Sequence, residues 1–208
     1  CLLSRGLGDV YKRQDVIISD LSTIKSKNLL LTHFHMDHLS GLLYMMKKKD
    51  ISVDFGKIYL PDVFSKKEMS RTLVLLLLAD LLKESGLPSR QVSLFALVDA
   101  LLENKQNVEL LSRGKLFENK YQALWPDTDV IRKETDEVYN RICEDGKFKE
   151  VMDVLLEFAE KLRLIVWSMT AEGNKPAETV EKETDLTASE LTEQPEVRQK
   201  IIRAYVYE

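Results

Sequence analysis

Leu29-Leu30-Leu31 is an unbroken apolar run ending in Thr32, a pattern that suits a strand buried on both faces of a sheet. After the loop His33-Phe34-His35-Met36-Asp37-His38, apolar residues fall at Leu39, Leu42, Leu43 and Met46. That is the i, i+3, i+4, i+7 spacing of one helix face, and Lys47-Lys48-Lys49 close it where the helix dipole favours cations. Gly56 leads into Lys57-Ile58-Tyr59-Leu60, a second strand stopped by Pro61. Strand, loop, helix and strand in so short a stretch predict a βαβ unit over residues 15–64, with neighbouring parallel strands.

From Ser65 the pattern changes. Residues 69–82 and 92–102 are strongly apolar helical segments separated by Gly86-Leu87-Pro88-Ser89, which is turn chemistry. Together they read as a helical insertion over 65–106. Residues 108–117 have β character around Arg113-Gly114, and 121–125 form another short strand before Pro126-Asp127. The expectation for 107–128 is a hairpin at a return to the sheet. Val151, Val154, Leu155, Phe158, Leu162 and Ile165 again follow helical spacing, so 147–167 is an amphipathic helix inside a helical segment over 129–169. Residues 170–196 carry no aromatic side chain and eight Asp or Glu against two Lys, the composition of a solvated, disordered linker. Residues 197–208 then start a further element, with a strand-like run from Ile201 to Tyr207. There is no internal repeat.

Composition narrows the classes. With 208 residues, 44% hydrophobic and 31% charged, the chain is an ordinary globular protein. A net charge of −4 argues against a broadly basic coat for nucleic acid or membrane, though it leaves room for a local patch. Two cysteines, Cys1 and Cys143, build no disulfide framework, which points to a reducing, cytoplasmic setting. The longest apolar stretch, 73–82, is interrupted by Asp80 and is about half the roughly 20 residues a bilayer requires, so no membrane partner is expected. Residues 1–14, CLLSRGLGDVYKRQ, lack a starting methionine and any period, and resemble translated adapter sequence rather than protein. The expectation is a fragment, with the natural chain beginning further upstream.

All three histidines sit in one loop, as His33, His35 and His38, with Asp37 among them. Imidazole and carboxylate are ligands that zinc, iron and manganese accept. His33 and His35 lie two apart in an extended segment, so both rings can project to one side and share an ion. Asp37 and His38, at the turn before the helix, point elsewhere and can reach a second ion. The loop follows the carboxyl end of a strand, where open α/β sheets place their sites. A surface accident is the bland reading, and the apolar residues on both flanks weigh against it. Cys143 reads as a half-buried packing residue, Trp125 and Trp167 as core or interface aromatics, and Lys47-Lys48-Lys49 as a solvated helix end.

His33-Phe34-His35-Met36-Asp37-His38 followed by Leu39-Ser40-Gly41-Leu42 resembles the H-x-H-x-D-H motif of the metallo-β-lactamase-fold hydrolases. The resemblance covers residues 28–61. Residues 108–127 are similar to the hairpin and "LWP" strand of the branch containing the ComEC competence protein. The resemblance implies an α/β fold, a partial metallo-β-lactamase-like (αββα) domain, truncated and carrying helical insertions. It implies a first metal on His33 and His35 and a second on Asp37 and His38, with Asp37 also orienting or deprotonating the attacking water. Two divalent ions are implied, zinc first and manganese or iron as alternatives.

This chain departs from the family pattern in having no histidine after His38, and spacing alone selects none of Asp62, Asp127 or Asp129 as a bridging carboxylate. Either the remaining ligands lie beyond Glu208 or the site is degenerate; the expectation is truncation, with a marginally stable fragment that holds metal weakly and turns over little substrate. The expected function of the full protein is a dinuclear metal-dependent hydrolase whose metal-activated hydroxide attacks an ester or phosphodiester, nucleic acid included. The alternative is a non-catalytic scaffold with a protein-binding surface on its helical insertions.

Overall fold

A computed structural model of the chain describes residues 19–21, 23–25, 27–47, 55–84, 94–104 and 106–171. The adapter-like segment, the turn at 86–89, the acidic stretch beyond Ala171 and the run Ile201 to Tyr207 lie outside the described residues.

Strand β1 (Asn28–Leu30) leads through the histidine loop to helix α1 (Met36–Lys47) and strand β2 (Lys57–Pro61). A 3-10 turn (Lys67–Met69), helix α2 (Ser70–Glu84) and helix α3 (Leu94–Glu103) connect β2 to strand β3 (Val108–Leu111). Strands β4 (Leu116–Phe117) and β5 (Tyr121–Gln122) form a hairpin, and helices α4 (Thr128–Glu144) and α5 (Gly146–Ser168) follow. β1, β2 and β3 make one parallel sheet in that order, with Leu30 opposite Tyr59 and Leu60 opposite Leu110. The fold is therefore α/β, and the parallel βαβ unit expected from the spacing is present.

The strand order advances in one direction, so right-handed crossovers put both connections on the same face. Ile58 and Leu60 of β2 and Leu110 of β3 point into this face and are buried against α1, α2, α3 and α5. Helices α2 and α3 are thus the crossover from β2 to β3 and share the main core, α2 lying against both α4 and α5. Aspartates open the last two helices. Asp127 accepts from the amides of Asp129 and Val130 at the start of α4, and Asp145 accepts from that of Lys147 at the start of α5.

Tyr59 and Leu111, one step along their strands from Leu60 and Leu110, face the opposite side and are covered by Phe117 and Ala123. β4 and β5 form the expected hairpin as a separate two-stranded sheet, while β3 alone returns to the main one. The strand expected over 121–125 ends at Gln122. Beyond it Ala123 and Pro126 bond the backbone of residues 113–115, where Gly114 turns at φ 90.

One further expectation is corrected and another narrowed. Among the described residues β1 is an edge strand whose Leu30 is 47% exposed, so the run Leu29-Leu30-Leu31 is not buried on both faces there; β2 holds the central position. Of the two roles read for Trp125, core or interface, its 56% exposure leaves the second. On the side of β3 away from β2, Thr170 makes a parallel bridge to Val108, and Lys115 Nζ donates to the Leu110 carbonyl at 2.9 Å. Among the described residues no helix is long and apolar enough to cross a membrane.

One latch fastens the hairpin to the sheet. The Glu118 carboxylate accepts from the Tyr59 hydroxyl and from Asn28 Nδ2, the latter at 2.6 Å, although Glu118 and its neighbour Asn119 sit at φ 52 and 54. Burial, then the Glu118 contact, push the Tyr59 phenol well above its ordinary value. The neutral phenol is the protonated form, so the folded chain holds this proton more tightly than the unfolded one does. Its contribution is complete below about pH 10 and is lost as pH rises through the folded value. Thermal melts across the alkaline range are expected to show a fall above about pH 10, and Tyr59→Phe to be about 1 kcal/mol less stable at neutral pH with a flatter alkaline limb. A parent and variant with parallel alkaline profiles would remove the latch.

Candidate metal centre

The sheet ladder ends at Leu31, whose amide donates to the Tyr59 carbonyl at 2.9 Å. The His35 carbonyl then accepts from the amides of His38 and Leu39, both at 3.0 Å, and α1 starts at Met36. The motif thereby straddles a strand exit and a helix entry. Along the extended part the side chains alternate as the spacing requires. The His33 and His35 rings meet edge to face with centroids 4.6 Å apart, while the intervening Phe34 packs edge to face on Phe64, 5.9 Å away. Phe64 is fully buried, so the loop is pinned to the core between its two histidines.

His38 differs from expectation. It lies in the first turn of α1 and not in a turn before the helix, and its ring sits 4.0 Å from that of His33. Helical Cα–Cβ bonds tilt toward the helix N-terminus, which carries a first-turn side chain back over the preceding loop. His38 therefore joins the His33–His35 pair instead of pointing elsewhere. Asp37 shares the same helical turn by its backbone; the expectation for its carboxylate lies outside the described residues. Thr32 Oγ1 is 2.9 Å from His33 Nδ1, a contact that sets the rotation of the central ring and that motif spacing does not reveal. His33 is half-buried, and His35 and His38 are exposed.

The three aspartates that spacing left unresolved separate in space. Asp62 directly follows the last residue of β2, and its amide donates to the Leu111 carbonyl of β3 at 2.8 Å. Asp62 is buried, and its two carboxylate oxygens accept from the amide and hydroxyl of Ser65, at 3.1 and 2.7 Å. Asp127 lies past β3, where the Arg113 guanidinium, 3.0 Å away, and the α4 amides hold its carboxyl below the usual range. Asp129 lines an open groove of about 390 Å³ together with Lys66, Glu68, Met69, Thr128 and Arg132.

The donor chemistry suits a divalent cation, with three imidazoles gathered at a strand exit and a carboxylate-bearing residue in the same turn. In the arrangement observed, the rings touch one another, and among the described residues no three His, Cys, Asp or Glu side chains are disposed as a finished cage. Cys143 is half-buried on α4 beside Tyr139, whose phenol is pushed up to about 12 by burial and by that thiol; it belongs to the helix packing. Comparison with family models, with characterised proteins and with solved structures returns no match to this chain.

Proposed function

We propose that the chain carries the metal-binding segment of a metallo-β-lactamase-type hydrolase, with His33, His35, Asp37 and His38 as ligands of two divalent ions, zinc before manganese or iron. The observation that supports it is the gathering of three imidazoles by one loop and one helical turn, at the carboxyl end of a strand in a parallel sheet. A parallel sheet with helices on one face and a hairpin on the other is compatible with a partial αββα domain.

Bound ions would lower the pKa of a water to about 7 and provide hydroxide for attack on a carbonyl or phosphorus. The chain's own residues do the rest. Thr32 holds the His33 ring, Phe34 fixes the spacing of His33 and His35, and Asp37 would orient or deprotonate the attacking water. An ester or a phosphodiester is the proposed substrate, nucleic acid included, in a cytoplasmic protein; the phosphodiester preference rests on the likeness of residues 108–127 to the ComEC branch.

One observation favours a second reading. Both oxygens of Asp62, the buried aspartate that follows β2, are engaged by Ser65, which fits a non-catalytic scaffold with a protein-binding helical surface. Metal analysis separates the two. Chain dialysed to equilibrium against zinc or manganese is expected to retain the ion above the level of the surrounding buffer, though weakly. It is also expected to hydrolyse bis(p-nitrophenyl) phosphate at a low rate that a chelator abolishes and added metal restores. Retained metal without hydrolysis leaves the ligand assignment and removes the enzyme; absence of retained metal removes both.

A further inference from the structure

We infer that Arg163, on α5, is a positioning residue for the histidine loop. It holds the Phe64 carbonyl from the core side, so that Phe64 can brace Phe34 between His33 and His35. This inference rests on the metal reading of the preceding section.

Arg163 stands in the apolar face of α5 between the buried Leu162 and Val166 and is itself only 9% exposed. Its Nη1 donates to the Phe64 carbonyl at 3.4 Å, and its Nε is buried without a hydrogen-bond partner. Among the described residues no carboxylate pairs with it. A buried guanidinium with one long bond to a neutral carbonyl is a costly arrangement, and a well-packed apolar side chain of similar volume would be at least as stable there. Stability does not explain the arginine.

Its hydrogen bond to Phe64 leads to the site. Phe64 belongs to the 62–66 loop that leaves β2, which the Asp62–Ser65 turn shapes, and its fully buried ring meets Phe34 edge to face. Because successive side chains of the extended loop alternate, holding Phe34 inward sets the outward direction of both neighbouring histidines. Ligand directions need to be held to within roughly 10–20° for productive coordination, and outer supports of a metal site typically contribute about 10- to 100-fold in affinity.

Cobalt(II) titration of the chain, followed by visible absorption beside a thermal melt, tests this. Arg163→Met is expected to melt no lower than the parent yet to bind cobalt about tenfold more weakly, with Arg163→Lys recovering part of the loss. Phe34→Leu should weaken binding similarly, and the double variant Arg163→Met/Phe34→Leu should be no weaker than either single one, because both cut the same brace. Parental affinity in Arg163→Met overturns the inference, as does parental affinity in Phe34→Leu should Arg163→Met fail to fold. A parent that binds no cobalt overturns the metal reading and this inference with it, whereas a parent that binds while the variants match it overturns the inference alone.

Discussion

His33→Ala is expected to weaken metal binding more than any other single substitution in the loop, by about a hundredfold. Structural zinc sites are worth roughly 10–16 kcal/mol over four ligands, so one ligand carries about 3 kcal/mol, and each 1.4 kcal/mol is tenfold. His33 is the central ring, in contact with both His35 and His38, and the Thr32 hydroxyl sets its rotation. Its loss separates the other two imidazoles as well as removing a donor. His35→Ala and His38→Ala each leave one ring contact in place and should cost less. Isothermal titration with zinc or cobalt ranks the three. Equal losses, or a larger loss at His38, would deny His33 its central place. Melting temperatures should change little in the metal-free chain, since His35 and His38 are exposed and His33 lies outside the main core.

Leu60→Ala should be the most damaging of the single-leucine truncations in the sheet. Leu60 is fully buried on the central strand and faces the helical core, where a Leu→Ala change costs about 2–5 kcal/mol through lost transfer energy and the cavity left behind. Against a total stability of about 5–15 kcal/mol this is a large share, and it should lower the melting temperature by on the order of 10 °C. Leu30→Ala, on the edge strand with its side chain half exposed, should cost less than about 1 kcal/mol. The pair of melts therefore tests the strand order directly. If Leu30→Ala proves as harmful as Leu60→Ala, β1 has a second neighbour that hides its outer edge.

The histidine motif was the part of the site most readable in advance, because ligand type and two-residue alternation are local properties. His33 and His35 meet as that alternation requires, whereas the direction of His38 hung on where α1 begins, and a helix that starts at Met36 instead of beyond the motif turns the side chain back. Thr32, Phe64 and Arg163 carried no sequence signal as supports of the site. An arginine within an apolar helix stripe was visible, but its contact with Phe64 joins positions 99 residues apart.

Periodicity alone determined the helices α1, α2, α3 and α5 and the parallel pairing of β1 with β2, since repeat spacing and connection length act over a few residues at a time. Only the tertiary structure decided which strand is central. An apolar triplet records that a segment prefers burial, while the neighbours that bury it are chosen by the whole sheet, and here they surround Ile58 and Leu60 and leave Leu30 at the rim. The same holds for the latch of Glu118 on Tyr59 and Asn28 and for the brace beneath the histidines: each joins distant stretches of chain, so it exists only once the backbone has brought them within a few ångströms.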